Sequence, residues 1–306
     1  MASSPTLKAR IKGTTPSSLW RFGANCRVYL ERMLIWIMLS REVHGVGQAD
    51  RDVLRRSFVR ALTDAWRRPE IWRNPTLLQD ALVEVRQVGR FKVRGGSDDL
   101  FHVWPGREEA ITRLIKSQLR TGDVFVDAGA NIGFYTMLAA RLVGPTGRVH
   151  AIEMVEGTAA ILEHHIALNQ LTNVTVIQKA LSDVGGQTVE VSIPADLWGQ
   201  ASIVRRHAGA SVKARITTTT LDAVLADEAR LRLMKLDLEG AELLALSGAR
   251  ETLAKLETLV FELQQDPVGD AALVAMLGAA GLGVTPLDSS NAAARRNPAQ
   301  PAAPGR

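Results

Sequence analysis

The chain has 306 residues, of which 46% are hydrophobic and 23% charged, the composition of an ordinary globular protein. This length allows one large domain with extensions or two modest domains. The single cysteine, Cys26, excludes an internal disulfide and fits a reducing compartment, so we expect a cytoplasmic protein. The best apolar run, Met33–Leu39, is far shorter than the roughly 20 residues of a membrane-spanning helix.

Positive charge is concentrated near the N-terminus. The formal net charge is +5, but residues 1–75 contain fourteen Lys or Arg and only six Asp or Glu, a net charge of +8. The remaining 231 residues therefore carry a net charge of −3. A nucleic-acid substrate requires a basic groove beside the active site, so this distribution argues against nucleic acid as a partner.

The N-terminal part of the chain is interpreted as an extension in front of the main domain. Residues 1–24 are predicted to be a flexible leader, and residues 25–95 a basic, mainly helical segment. The clearest helix covers residues 51–67, with Asp50 as its N-cap and apolar side chains at every fourth position. That stripe consists of Leu54, Phe58, Leu62 and Trp66.

Two functions stay open for this extension. Basic amphipathic helices that carry tryptophan lie on anionic membranes or bind acidic partners. Residues 25–75 are therefore one candidate contact for a membrane surface or a protein partner. The interpretation that we favour is a helical cap that packs on the main domain, and the sequence leaves the oligomeric state undecided.

From residue 96 onward, short apolar strands alternate with helices of ten or more residues. This pattern predicts a Rossmann-like α/β domain over residues 96–288, doubly wound around a mostly parallel sheet. Residues 186–217 interrupt the alternation and are interpreted as an antiparallel insertion. The Ala/Pro-rich residues 289–306 are predicted to be disordered. The main predicted strands are Val124–Asp127, Arg148–Glu153, Val174–Gln178, Leu231–Leu238 and Leu259–Glu262.

The strongest motif is the run from Val124 to Tyr135, in which a glycine-containing turn follows a hydrophobic strand. Ligands of open α/β sheets bind outside the carboxyl ends of the strands, and glycines there allow close approach to the backbone. The next strand ends at Glu153, whose carboxylate can accept hydrogen bonds from both hydroxyls of a ribose. We therefore predict a nucleoside-binding site that contains Asp127, Gly129, Asn131, Gly133 and Glu153.

The spacing of the glycines separates two classes of nucleoside cofactor. A dinucleotide fingerprint requires G-x-G-x-x-G, but from Gly129 its second and third positions hold Asn131 and Phe134. Phenylalanine there blocks the close packing of helix on strand, which disfavours NAD and FAD. S-adenosylmethionine has no pyrophosphate, and its sulfonium is attracted to a carboxylate such as Asp127. The turn therefore favours S-adenosylmethionine as the cofactor.

A second motif, Leu233–Glu242, also runs from a strand into a helix. It places one lysine and three acidic residues where the strand ends. In this topology its strand neighbours the first, so its end faces the reacting methyl group. Methyl transfer to a hydroxyl requires positioning and often proton removal. We expect Asp237, Glu239 and Lys235 to act on the acceptor. Glu242 either joins them or stabilises the positive N-terminus of the next helix.

Four motifs are similar to those of the FkbM family of methyltransferases, over roughly residues 96–265. They are Asp127–Gly133, Ala180–Asp183 followed by Gly185 and Gly186, Thr220–Asp222, and Lys235–Glu242. The resemblance implies a Rossmann-like S-adenosylmethionine domain and, in many members, O-methylation of a sugar or polyketide hydroxyl. It also implies that Asp127, Gly129, Asn131 and Gly133 bind the methionine end of the cofactor, Glu153 the ribose, and Ser182 and Asp183 the region near the adenine.

The motifs lead to one main hypothesis and two alternatives. We expect an S-adenosylmethionine-dependent methyltransferase that acts on a hydroxyl of a small molecule, such as a sugar or secondary metabolite, or of a glycan. N-methylation of RNA or protein is one alternative, which the negative charge after residue 75 disfavours. The other is a non-catalytic scaffold that uses its basic helices. The histidines show no spacing typical of a metal site, so we expect no metal.

Overall fold

The computed structural model describes residues 17–67, 74–194, 211–264 and 266–296. The chain divides into two compact units. The N-terminal unit comprises residues 1–84 and 92–106, and the sheet unit comprises residues 85–91 and 107–306.

Two helices, α1 (Ser17–Glu42) and α2 (Gln48–Arg67), form most of the described N-terminal unit. Their ring contacts join Trp36 to Phe58, with centres 5.8 Å apart, and Tyr29 to Trp66, with centres 5.9 Å apart. The residue numbers of the contacting rings increase along α1 while they decrease along α2, so the two helices run antiparallel. The other elements before residue 106 are β1 (Val43–Gly45), β2 (Ala81–Val85), β3 (Gly89–Val93) and α3 (Asp99–His102).

The predicted flexible leader is wrong for residues 17–24, which belong to α1. Residues 1–16 of that leader lie outside the described part of the chain. The sequence contains no proline between Pro16 and the end of α1, so nothing prevents the helix from extending back to Ser17.

The buried face of α2 differs from the predicted stripe. Val53, Ser57 and Ala65 are its buried side chains, whereas Trp66 is exposed. Each step of four residues turns a helix about 40° beyond a full circle, so Trp66 lies about 120° around the axis from Leu54. Residues spaced exactly four apart therefore do not all lie on the buried face of a helix that is several turns long.

Asp50 stabilises the start of α2, but it is not the N-cap that we predicted. The helix begins at Gln48, so Asp50 is its third residue. Its carboxylate accepts hydrogen bonds from the backbone N–H groups of Gly47, at 2.8 Å, and of Leu82, at 2.9 Å. The first bond is one half of a capping box, and the second joins the helix to β2.

The sheet unit contains a seven-stranded sheet and the helices between its strands. The strands are β4 (Val124–Ala128), β5 (Arg148–Ile152), β6 (Val174–Ile177), β10 (Leu231–Leu236), β11 (Leu256–Glu262), β12 (Leu282–Pro286) and β13 (Asn291–Arg296). The helices are α4 (Glu109–Gln118), α5 (Phe134–Val143), α6 (Glu156–Leu168), α7 (Leu221–Val224), α8 (Glu242–Ser247), α9 (Arg250–Lys255) and α10 (Pro267–Ala279).

The strands of this sheet lie in the order β12-β13-β11-β10-β4-β5-β6. Six of them run parallel, and β13 runs antiparallel between β11 and β12. The central strands β4 and β10 are buried along nearly their whole length, which explains their continuous apolar sequence. The predicted doubly wound α/β fold with a mostly parallel sheet is confirmed. Its topology brings the carboxyl ends of β4, β5, β10 and β11 to one edge.

The predicted antiparallel insertion is present where the structure describes it. Strands β8 (Thr188–Pro194) and β9 (Ser211–Thr219) pair antiparallel, and β7 (Ala180–Leu181) pairs parallel with β9. Residues 195–210, between β8 and β9, lie outside the described part of the chain.

The prediction that residues 289–306 are disordered is wrong for residues 291–296. These form β13, whose backbone pairs with β11 on one side and β12 on the other. Residues 292–294 are three buried alanines. Alanine has low β-propensity, but pairing on both sides satisfies the backbone, and packing decides such cases. Residues 297–306 lie outside the described part of the chain.

The helical segment that follows the second motif is divided into α8 and α9 at Gly248. A Cβ atom on Gly248 would lie 2.6 Å from the backbone carbonyl oxygen of Ser182, so the two backbones touch there. The carboxylate of Asp222 accepts hydrogen bonds from the backbone N–H groups of Glu251, at 3.1 Å, and Thr252, at 2.7 Å. Asp222 therefore caps the N-terminus of α9, so the motif Thr220–Asp222 has a structural role.

Substitution of Ala293 by aspartate tests the packing of β13. Ala293 is fully buried between Val260 of β11 and Thr285 of β12. A buried carboxylate without a partner costs several kcal/mol, so we expect Ala293→Asp to lower the free energy of unfolding by about 3 kcal/mol or more. Urea denaturation followed by tryptophan fluorescence measures this change. The control is Arg295→Asp at an exposed position of the same strand, for which we expect less than about 1 kcal/mol; equal losses would contradict the buried strand.

Candidate active site

The turn between β4 and α5 has a backbone that requires glycine at two positions. Gly129 has a φ of +83°, and a Cβ atom there would lie 1.9 Å from the carbonyl oxygen of Asp237. Gly133 has a φ of +92°, and its Cβ atom would lie 2.4 Å from the Leu162 side chain. Asn131 has a φ of +49°, which asparagine tolerates better than most residues. These three predicted residues therefore share one tight turn.

Asp127 lies at the end of β4 with an incomplete set of hydrogen bonds. Its Oδ2 atom accepts a hydrogen bond of 2.6 Å from the Thr136 hydroxyl, whereas its buried Oδ1 atom has no hydrogen-bond partner in the described part of the chain. Burial raises the pKa of Asp127, and the nearby Lys235 ammonium opposes this rise. A buried acceptor without a partner is rare, and it suits a donor group that a ligand brings.

Glu153 lies directly after β5 and holds the β4 turn in place. Its Oε2 atom accepts the backbone N–H of Asn131, and its Oε1 atom accepts that of Val155, both at 2.9 Å. Burial raises the pKa of this carboxyl group to about 7, although the backbone N–H groups oppose the rise. The structure thus brings Glu153 together with the predicted glycine turn. Each of its oxygens retains a second lone pair for a ligand.

The end of β10 carries a buried ion pair. Lys235 is paired in register with Asp127 on β4, and its Nζ atom donates a hydrogen bond of 2.8 Å to Oδ2 of Asp237. Burial alone would lower the pKa of this ammonium group, but the carboxylates of Asp237, Glu108 and Asp127 outweigh burial and raise it. Lys235 is therefore a permanent cation at neutral pH, which excludes it as a general base.

The turn after β10 separates the roles of two other glutamates. Glu239 has a φ of +52°, an uncommon conformation for a residue other than glycine, and such strain is concentrated at functional sites. The buried carboxylate of Glu242 accepts hydrogen bonds from the backbone N–H groups of Leu238, at 2.8 Å, and Gly240, at 3.3 Å. Of the two roles left open for Glu242, these contacts favour the structural one.

Four residues near the β10 ion pair were missed by the sequence argument. The Tyr135 hydroxyl donates a hydrogen bond of 2.8 Å to Glu108, and Arg107 donates one of 2.6 Å to the same oxygen. Burial, and then the Glu108 carboxylate, raise the pKa of Tyr135 well above its usual value. The Lys235 ammonium lies 5.1 Å from the centre of the Tyr135 ring. The fourth residue is Glu262 at the end of β11.

Two of these residues, Glu108 and Glu262, line a small cleft together with Lys235 and Asp237. Burial, and then repulsion by Asp237, raise the pKa of Glu262. Two of the missed residues had a usable signal, since Tyr135 ends the first motif and Glu262 ends a predicted strand beside β10. Glu108 precedes a helix and carries no comparable pattern.

Ser182 and Asp183 lie at a different place, after β7. The Ser182 hydroxyl donates a hydrogen bond of 2.9 Å to Asp183, and the backbone of the pair touches Gly248. These contacts tie the pair to the junction of α8 and α9, not to the β4 turn. Their position near the adenine of a cofactor stays a prediction.

The described residues contain neither a metal-binding cluster nor a membrane-spanning helix. No group of three or more His, Cys, Asp or Glu side chains in this part of the chain is arranged to hold a metal ion. None of the described helices is both long enough and apolar enough to cross a membrane.

Substitution of Gly129 by alanine tests the contact between the two turns. The new Cβ atom would overlap the carbonyl oxygen of Asp237, so β4 and β10 must separate at their ends. We expect a loss of at least about 3 kcal/mol in the free energy of unfolding, measured by urea denaturation.

The matched control is Gly186→Ala. Gly186 has a similar φ of +80°, but nothing lies within 4 Å of the position of its Cβ atom. This variant isolates the backbone strain, which costs about 1–2 kcal/mol. Equal stability of the two alanine variants would contradict the close contact between Gly129 and the carbonyl oxygen of Asp237.

Solved structures of similar fold include three methyltransferases. An S-adenosylmethionine-dependent O-methyltransferase from Thermotoga maritima is 15% identical, with a TM-score of 0.41 over 70% of this chain and 77% of that chain. An rRNA methylase from Streptococcus thermophilus is 14% identical, with a TM-score of 0.40 over 63% and 96%. The methyltransferase FkbM from Methylobacillus flagellatus is 18% identical, with a TM-score of 0.37 over 64% and 54%. No curated protein matches the sequence.

One family model matches the sequence, that of the Methyltransferase FkbM domain, over residues 127–281. The match begins at Asp127 and includes Glu153, Lys235 and Asp237, so most of the site described above lies inside it. Arg107 and Glu108 precede it. Because the match covers half of the 306 residues, the chain belongs to the FkbM family of methyltransferases, as the resemblance of its motifs implied.

Proposed function

We propose that this methyltransferase transfers the methyl group of S-adenosylmethionine to a hydroxyl group of a sugar, a glycan or a secondary metabolite. The observation that carries the proposal is the register of β4 and β10, in which Asp127 and Lys235 are paired and both are buried. Neighbouring strands lie about 4.8 Å apart. The cofactor residues and the acceptor residues therefore share one edge of the sheet, within reach of a single transferred methyl group.

The residues at the β4 turn fit this cofactor, which when bound supplies a methyl group on a positively charged sulfur. The buried Oδ1 atom of Asp127 has no partner in the described part of the chain, and it suits the ammonium group at the methionine end. The free lone pairs of Glu153 suit the two ribose hydroxyls. Gly129, Asn131 and Gly133 form the turn beneath the ligand, and we assign Ser182 and Asp183 to the adenine.

Asp237 is the proposed base that takes the proton of the acceptor hydroxyl. It lies at the open end of β10, and its contact with Lys235 at 2.8 Å stabilises its ionised form. Lys235 itself orients the carboxylate and cannot accept the proton, because its pKa is raised. We assign Glu239, in its strained turn, to orientation of the acceptor.

The charge around the cleft supports a hydroxyl acceptor. The cations Lys235 and Arg107 lie among the carboxylates of Asp237, Glu108 and Glu262, which outnumber them. Such a surface repels the phosphates of RNA, and it supplies the base that a hydroxyl needs. A small amine is the second candidate, because carboxylates attract a cationic acceptor.

Calorimetric titration with S-adenosylmethionine, with NAD as the control ligand, tests the cofactor. We expect saturable binding of S-adenosylmethionine only. Because the pKa of Glu153 is raised to about 7, its carboxyl group is mostly neutral at pH 6 and mostly ionised at pH 8. The ionised form is the better acceptor for ribose hydroxyls, so the affinity should rise up to about tenfold over this range.

Glu153→Gln should bind more weakly and lose this dependence on pH. The control is Glu163→Gln on the exposed surface of α6, which should behave like the parent protein. Binding of NAD, or an affinity that does not change with pH in the parent protein, would contradict the assignment of this site.

Methyl transfer is tested by formation of S-adenosylhomocysteine with panels of hydroxylated sugars, glycans, small amines and RNA. We expect turnover with a hydroxylated acceptor. Asp237→Asn should lower kcat by about 10²–10⁴, because it removes the general base, while the affinity for S-adenosylmethionine stays within about threefold of the parent value.

The control variant is Asp266→Asn, a change of the same kind at the N-cap of α10, which should leave kcat unchanged. Turnover with amines alone would contradict the hydroxyl acceptor and would assign an amine as the acceptor. Saturable binding of S-adenosylmethionine without turnover on any panel would favour a non-catalytic scaffold.

A further inference from the structure

Helix α1 is apolar on two opposite faces. Trp36 and Leu39 on one face are buried. On the other, Leu30, Leu34 and Met38 follow one another at every fourth position and are 50%, 54% and 48% exposed. Ile37 lies on the same side, since residues three and four positions apart are neighbours on a helix. We call Leu30, Leu34, Ile37 and Met38 the exposed stripe.

A helix at the surface of a globular protein normally presents polar side chains to water. The exposed stripe instead places four large apolar side chains within about 12 Å of helix. Contiguous apolar surface of this kind marks a contact with a partner or a membrane. The stripe therefore requires an occupant.

The charge around the stripe favours an anionic occupant. Arg27 lies three residues before Leu30, and Arg41 three residues after Met38, so an arginine lies at each end of the stripe on the same face. Arg27 also pairs with Glu31 at 2.7 Å, an exposed pair of small value that a stronger anion can displace. Residues 1–75 carry a net charge of +8. A second copy of the chain would bring like charges together, which disfavours self-association.

An anionic bilayer fits both features of this face. Amphipathic helices with basic side chains lie in the plane of a membrane interface, with their apolar side chains at the boundary of headgroups and acyl chains.

We propose that α1 binds flat on an anionic lipid bilayer. The exposed stripe enters the boundary between headgroups and acyl chains, and Arg27 and Arg41 contact the phosphate groups. This inference rests on the N-terminal unit alone, so it does not depend on the proposed cofactor or acceptor.

Co-sedimentation of the full-length protein with vesicles tests the proposal. Vesicles of phosphatidylcholine with about one quarter phosphatidylglycerol should bind the protein, and pure phosphatidylcholine should bind it at least tenfold more weakly. Binding to the anionic vesicles should weaken as salt rises from 0.1 to 0.5 M, because salt screens the arginines. Leu34→Glu should weaken binding at least tenfold, because it removes one inserted side chain and adds a repelled charge.

The matched control is Val268→Glu, the same kind of change at a 79% exposed position of α10 in the sheet unit, which should bind like the parent protein. Thermal unfolding shows that both variants remain folded. Equal binding to neutral vesicles, no binding to either vesicle, or an unchanged affinity of Leu34→Glu would overturn the proposal. Sedimentation velocity that shows a dimer in the parent protein, dissociated by Leu34→Glu, would assign the stripe to a second copy and would also overturn it.

Discussion

The contact between the backbones of two turns fixes the geometry of the site. Gly129 leaves no room for a side chain against the carbonyl oxygen of Asp237, and the Asp237 N–H donates a hydrogen bond of 3.0 Å to Ala128. The ends of β4 and β10 therefore cannot separate without loss of both contacts. Since Asp127 and Lys235 are the last paired polar side chains before these turns, the same contact sets the distance between the residues that we propose for the cofactor and for the acceptor.

Charge compensation follows from this geometry. A buried ammonium group is costly unless carboxylates surround it, and Lys235 lies among Asp237, Glu108 and Asp127. The cation in turn lowers the cost of burying these acids. The site thus holds the Lys235 ammonium group next to acids of raised pKa, such as Asp127 and Glu262, a combination that suits proton removal from a neutral acceptor.

The two units differ in their chemistry. The sheet unit carries the buried polar side chains of the site, and its motifs lie inside the family match. The N-terminal unit carries the excess positive charge and an apolar surface on α1 that water does not favour. The proposed methyl transfer and the proposed contact with a bilayer therefore rest on separate parts of the sequence.

The sequence by itself determined the alternating strands and helices, the glycine turn at Gly129 and the acids at Asp127, Glu153 and Asp237. These features are local, because apolar runs and turn residues are properties of neighbouring positions. Only the tertiary structure decided that residues 291–296 form a buried strand, since their pairing partners lie in β11 and β12. It also brought Glu108 and Tyr135 to Lys235. Contacts between distant segments depend on how the elements pack, and no local pattern records them.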